Sequence, residues 1–430
     1  MAAICFACLV YVIRKRLLEK IGNRQFFSPF VDAQYLCVLV GAVFGSVSTH
    51  WFHGPANFTT LAVLFFAGWI GFTVGCGLDI RVLRRSGFHS LLPGFVQTLI
   101  ALVLVPSFMY GFSGVAGGNS SVVNPVSVLC ITAICVAGSS SLIQFHGSSR
   151  IKISDRLGFP CVSGFFAISL IAFAGTILPS PRVKIPAFVF WDSQSLVIEG
   201  IEEVLLGMLL GSLVGFFCDL LSRESQNTTV LLFTYFTFVL LGVGLAQLFG
   251  LQPLWMGAFS GLWLINSTLR RLDILNAVAQ SRKLVNIVLP LSVGCLLGKN
   301  LSTVGLDWQS FSLGVVLMTL VRPTVKVFSA FVVKRSYTIR DLGSLSWIRG
   351  LAEFEHVSLM AALVLFYALG ERVGAGMLTG TISGNFFLSV FFPRTVTTED
   401  KVPLRERPAV QMRTEGLTGG TDVTGDLPEP

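Results

Sequence analysis

Apolar stretches close to 20 residues long recur from one end of this 430-residue chain to the other, and they constrain the fold more than any motif does. A helix that crosses a bilayer needs about 20 mostly apolar residues. In hydrocarbon every backbone N–H and C=O must find its partner inside the protein, so such stretches are helices or broken helices. Thirteen are readable, at 3–13, 31–49, 57–78, 87–112, 126–146, 158–178, 196–220, 228–249, 251–267, 284–304, 309–332, 344–368 and 371–392. The pattern predicts an all-α polytopic membrane protein. The charge content agrees: 13% of residues are charged and 53% are apolar, where a soluble domain carries about 25% charge. Disordered chains, coiled coils and nucleic-acid-binding modules are excluded. The net charge of +8 comes without a basic patch that interleaves aromatics, so no nucleic-acid partner is expected.

The basic residues have a simpler reading. With alternating loops, 24 of the 31 Lys and Arg fall on one side and 4 on the other. That asymmetry predicts a cytoplasmic C-terminus and an outside N-terminus in a plasma (inner) membrane. Residues 1–396 read as one transmembrane domain. Residues 397–430 are polar, rich in Gly, Thr and Pro, and read as a disordered cytoplasmic tail. The first apolar stretch reads as a short helix with an incomplete start. It is not read as a signal peptide, because its basic cluster follows it. The nine cysteines mostly lie in apolar runs and form no CxxC pair, so neither a disulfide framework nor a metal site is expected. No cofactor is implied. Nor is an enzyme, because no nucleophile–base spacing, His box or phosphate-cradling glycine loop stands out.

Ionisable groups at membrane depth are costly, so their positions point to function. The segment 344–368 contains Trp347-Ile-Arg-Gly-Leu-Ala-Glu-Phe-Glu-His-Val-Ser-Leu-Met360. Arg349 and Glu353 are four apart, and Glu353 and His356 three apart, so each pair shares a helix face. Gly350 is a candidate break, and broken helices expose backbone dipoles to ions. The functional reading is a proton- or cation-binding carboxylate at Glu353 or Glu355, balanced by Arg349 and His356. The competing reading starts the helix near residue 356 and leaves Arg349 to Glu355 in an interfacial loop.

The segment 309–332 carries Arg322, Pro323 and Lys326. Arg322 and Lys326 share a face and are candidates for balancing charge in a transport core. Their position toward the cytoplasmic end favours snorkelling to the interface instead. The segment 126–146 ends Ala137-Gly-Ser-Ser-Ser-Leu-Ile-Gln144. Ser139, Ser140, Ser141 and Gln144 would supply oxygen ligands for a hard cation if this stretch is unwound. Serines that bond back within a helix or ease close packing are the equal alternative.

In order along the chain, these residues resemble the monovalent cation:proton antiporter family, in its sodium/proton and potassium-efflux branch with thirteen helices. Val40-Gly-Ala-Val-Phe-Gly-Ser46 is similar to that family's glycine-rich second helix. Gly77-Leu-Asp-Ile-Arg-Val-Leu-Arg-Arg85 is similar to the end of its third helix and the basic turn after it. Residues 137–144 fall where the family has a Ser/Thr-rich unwound helix. Leu254-Trp-Met-Gly-Ala-Phe-Ser-Gly-Leu262 resembles its Gly-Ala-Phe-x-x-Gly helix, and Leu289-Pro-Leu-Ser-Val-Gly294 its Pro-Leu-Phe-Phe run. Ala352-Glu-Phe-Glu-His-Val-Ser-Leu359 resembles its Gly-Glu-Phe motif. The likeness covers roughly residues 3–395.

The resemblance implies an inverted repeat with two crossed broken helices, here 126–146 and 344–368. It also implies a scaffold part suited to a homodimer and a mobile core that works as an elevator. The expected activity is antiport of a monovalent cation, sodium or potassium, against protons, with the lipid bilayer as the surrounding partner. One feature departs from the family. Its ion-binding Asp lies on the sixth helix, and the matching stretch here is Val162-Ser-Gly-Phe-Phe-Ala-Ile168. No Asp or Glu occurs between Asp155 and Asp192. Three readings stay open: Glu353 or Glu355 has taken over the carboxylate role, the protein carries a solute such as an organic anion without proton coupling, or it is a non-transporting membrane scaffold or sensor.

Overall fold

The computed structural model describes residues 33–48, 56–81, 84, 92–115, 125–137, 163–174, 196–223, 228–268, 270–336 and 356–391, all inside one unit, Met1–Arg394. Among these residues every regular element is a helix. They are α1 (Ala33–Ser48), α2 (Ala56–Cys76), α3 (Leu92–Val115), α4 (Pro125–Val136) and α5 (Ser163–Ala174). Then come α6 (Leu196–Ser222), α7 (Thr228–Leu248), α8 (Pro253–Ser267) and α9 (Arg271–Thr303). A single long helix, α10, joins Trp308–Val316, a π-helical turn Leu317–Val321 and Arg322–Ser336. The last two are α11 (His356–Leu369) and α12 (Glu371–Phe391). Five stretches are long and apolar enough to cross a membrane: Gly94–Gly111, Ile201–Ser222, Thr229–Leu248, Asp273–Thr303 and Trp308–Ser329. The first expected segment, 3–13, and the tail lie outside the described residues.

Local chemistry sets several helix ends. Pro253 opens α8, where its missing N–H costs nothing. Asp307 caps α10, its Oδ2 accepting from the Ser310 N–H at 3.2 Å. Gly370 at φ 81 lets α11 stop and α12 start in one residue.

Several helix pairs meet backbone to backbone, α10 and α12 among them through Gly314 and Gly380, and two pairs do so through four glycines each. On α2, Gly71 and Gly75 face Gly257 and Gly261 of α8. A Cβ at Gly71 would land on the Leu254 carbonyl, and one at Gly257 on the Gly68 carbonyl. The α1–α9 pair repeats the device with Gly41 and Gly45 against Gly294 and Gly298. Both partners of each pair use four-residue spacing, which puts the glycines on one stripe and brings the axes close. In lipid this closeness replaces the hydrophobic drive as the source of association. Trp69, fully buried on α2, adds an aromatic layer. It lies 4.2 Å from the Phe236 ring of α7 and donates from Nε1 to Ser281 Oγ of α9 at 3.2 Å.

The turn after α2 is tied down by polar groups. Asn266 on α8 donates to the Leu78 carbonyl at 3.0 Å and accepts from the Ile80 N–H at 2.9 Å. Arg271 at the start of α9 pairs with Asp79 at 2.6 Å. At the other extreme, α6 leaves Leu205, Leu209, Leu213 and Leu220 largely exposed, as a lipid-facing helix does.

Candidate functional site

Helix α4 carries no charge and ends at Val136, with Ala137 in the turn that follows. A helix that stops at depth leaves its last carbonyls without intrahelical donors. Side chains from two other helices bind these carbonyls. Gln97 of α3, 3% exposed, donates from Nε2 to the Val136 carbonyl at 3.2 Å and to the Cys135 carbonyl at 3.4 Å. Arg322 of α10 donates from Nη2 to the Ala137 carbonyl at 3.4 Å. A cation at this end also meets the negative pole of the α4 dipole.

Arg322 and Lys326 are both 0% exposed. The expectation that they snorkel to an interface therefore does not hold. The reason lies in α10 itself. The Arg322 N–H bonds the Leu317 carbonyl, a five-residue step. The π-helical turn inserts one extra residue, and at about 100° per residue this rotates everything that follows. The helix also runs on to Ser336, past the expected end of the segment. Pro323 follows the π turn and withholds an N–H from the ladder at the same place. Both basic heads thus turn inward, and Cys135 of α4 lies within electrostatic reach of the two.

The guanidinium has a second neighbour. Arg322 Nη1 donates to Asn385 Oδ1 of α12 at 2.8 Å, and Asn385 Nδ2 donates to the Tyr35 hydroxyl of α1 at 2.7 Å. Asn385 is 0% exposed and Tyr35 6%. The Tyr35 ring packs edge-on against Phe386 at 5.1 Å. One hydrogen-bonded chain thus joins α1, α12, α10 and the end of α4.

The other expected site residues divide into two groups. His356 is half-buried and opens α11, which packs on α4. Glu353, Glu355 and Arg349, and likewise Ser139, Ser140, Ser141 and Gln144, lie outside the described residues. Ser358, in the first turn of α11, is 0% exposed, and its hydroxyl makes no hydrogen bond among the described residues. Helix α5 carries no Asp or Glu and buries Ser163, 3% exposed. Sequence reasoning passed over Gln97, Asn385 and Tyr35. The signal for the amides was available: each is the only amide side chain on its helix, and a polar group at membrane depth needs a partner.

No family model matches the chain, and no curated protein matches it in sequence. A solved structure does match: the sodium proton antiporter MjNhaP1 from Methanocaldococcus jannaschii at pH 8. The likeness has a TM-score of 0.55 at 15% identity and covers 91% of this chain and 96% of the other. The protein is thus an all-helical, multi-pass membrane protein with the fold of that antiporter.

Proposed function

We propose that the protein is a secondary transporter that exchanges sodium or potassium for protons. The observation that carries this reading is the fully buried pair Arg322 and Lys326, one turn apart in an apolar bundle. Two cations at membrane depth are expensive, and a protein that only spans and packs has no use for them. The fold likeness to a sodium proton antiporter supports the same class of activity.

In this reading the segments 126–146 and 344–368 are two crossed broken helices of an inverted repeat of thirteen helices. Helices α4 and α11 are one half of each. Glu353 and Glu355, in the stretch leading into α11, hold the cation or the proton in turn. A proton that neutralises the carboxylate releases the cation, and its loss on the other side lets the next cation bind. Arg322, Lys326, Arg349 and His356 balance the charge between these states. Ser139, Ser140, Ser141 and Gln144 add oxygen ligands beyond the end of α4. The mobile core moves as an elevator in a plasma (inner) membrane, within a homodimer, with the C-terminus in the cytoplasm and 397–430 as a separate tail.

The test is the purified protein in liposomes loaded with a pH dye. Sodium or potassium pulses should change lumenal pH, and Glu353→Gln or Glu355→Gln should abolish the response. The reading fails if no cation moves the dye signal. A second reading has its own support. None of α1, α3, α4, α5, α10 and α11 carries an Asp or Glu, while α10 brings two buried cations. That balance suits a carrier for an organic anion, and anion uptake with no change of pH would favour it.

A further inference from the structure

Three helix ends meet beyond the apolar run of α2: its own C-terminal turn, the end of α8 and the start of α9. Asp79 is the one carboxylate in that turn, and each of its oxygens already has a donor. Oδ2 accepts from Arg271 Nη1 at 2.6 Å and Oδ1 from the Arg81 N–H at 2.9 Å. The Arg81 guanidinium goes to a neutral group instead, donating from Nη2 to the Asn266 carbonyl at 3.3 Å. Two guanidinium groups thus stand beside one carboxylate, and the junction carries an excess of positive charge. The neighbouring Arg270 does not add to it, because Asp273 pairs with Arg270 at 3.0 Å.

The excess charge comes with a hydrogen-bond donor to spare. Arg271 Nη2 is buried and meets no acceptor among the described residues. An N–H cut off from both water and acceptors is costly, so the position calls for an acceptor from outside. The Arg271 side chain keeps 21% of its surface exposed and Arg81 is exposed, so a ligand reaches both from the rim of the bundle. Phosphate oxygens suit these donors, since guanidinium groups hold them by charge-assisted bonds. The location suits a lipid. Asp79 follows the apolar stretch Leu61–Cys76, and Arg271 precedes the apolar span Asp273–Thr303. Where such stretches end, a bilayer gives way to its headgroups, and basic pockets between helices bind them.

We propose that Arg271 and Arg81, at the junction of α2, α8 and α9, bind a phosphate group, which the position at the membrane edge assigns to an anionic phospholipid headgroup over free phosphate. Bound there, the headgroup ties the end of the α2–α8 pair to α9, and through α9 to α1. Such a site works whether or not the protein exchanges ions.

The test is thermal unfolding of the purified full chain in neutral detergent, titrated with phosphatidylglycerol, with phosphatidylcholine, whose choline cancels the phosphate charge, or with inorganic phosphate. A ligand of the folded state raises the midpoint, and the concentration it needs reads the affinity. Phosphatidylglycerol should raise the midpoint and phosphatidylcholine should not. Arg81→Gln should weaken the response about fivefold, the contribution of one basic residue at a membrane surface. Arg271→Lys keeps the charge beside Asp79 and loses the second prong of the fork, so it should weaken the response as much or more. Lys299→Gln removes an equal charge from an exposed position near the other end of α9 and should change nothing. A shift with phosphatidylglycerol alone supports the headgroup, and an equal shift with inorganic phosphate at the same concentrations overturns the assignment to lipid. Equal responses to the two lipids, a full response in both arginine variants, or the same weakening in Lys299→Gln would overturn the site, since a general lipid effect or diffuse surface charge predicts those results.

Discussion

The glycine seams and the polar core solve the same problem in opposite ways. Along α2–α8 and α1–α9 the helices touch through backbone: the atoms nearest each stripe glycine belong to the facing helix's main chain. Around the end of α4 the helices are held together by long side chains, Gln97, Arg322 and Asn385, that reach across to carbonyls and to each other. A seam of this kind has one good geometry, because any shift drives carbonyls into neighbouring backbone. The polar core can exchange partners, since a guanidinium or an amide can trade one acceptor for another. Rigid pairs beside an adjustable polar centre are what a protein needs if it must move a solute without opening a leak.

The difference predicts how each region responds to change. Gly257→Leu should have the largest effect, about 3 kcal/mol of destabilisation, because the new side chain meets the Gly68 carbonyl and not a movable side chain. Loss of monodisperse protein in detergent, or a steep fall in the thermal midpoint, would be the readout. Gln97→Leu comes next, at about 1.5 kcal/mol, since it removes donors from two buried carbonyls and leaves the volume filled. Thermal unfolding measures this too, and a value near that of Gly257→Leu would erase the contrast between the regions. Arg322→Met should cost about 1 kcal/mol, because it removes donors from the Asn385 amide oxygen and the Ala137 carbonyl. Its exchange activity should fall to background. Activity lost outright at so small a cost in stability would show that the charge is kept for its function.

The sequence reveals the membrane class because apolar length is a local property, and α2, α6, α7 and α12 lie close to where apolar stretches begin and end. The stop of α4 near Ala137 was only half legible, since the glycine and serines that follow suit an unwound stretch and a closely packed helix equally. The burial of Arg322 and Lys326 was not legible. It depends on one extra residue in the turn Leu317–Val321, and no local sequence signal marks a π-helical turn. The glycines of α1, α2, α8 and α9 are visible as stripes, but which stripe meets which is a property of the fold. Tyr35 and Asn385 are 350 positions apart, so their contact could not be read from spacing. The absence of an acid on α5 is plain in the sequence, whereas the inward-turned cations that accompany it needed the structure.

Tyr35→Phe is the smallest change and the finest probe of the polar core. It removes one oxygen and keeps the ring, so the edge-on contact with Phe386 survives. What is lost is the acceptor for Asn385 Nδ2, a buried bond of 2.7 Å between α1 and α12. Hydrogen bonds between membrane helices contribute only about 0.6 kcal/mol on average, because the groups find other partners when the bond is broken. Thermal unfolding should therefore shift by no more than this. Activity should suffer more than stability does, since Asn385, which bonds the buried Arg322, loses the acceptor of its Nδ2. A loss above about 2 kcal/mol would mean that the chain through Asn385 works as a seam, with the same rigidity as the glycine pairs. A fall in turnover at near-constant stability would separate the two regions as adjustable and fixed.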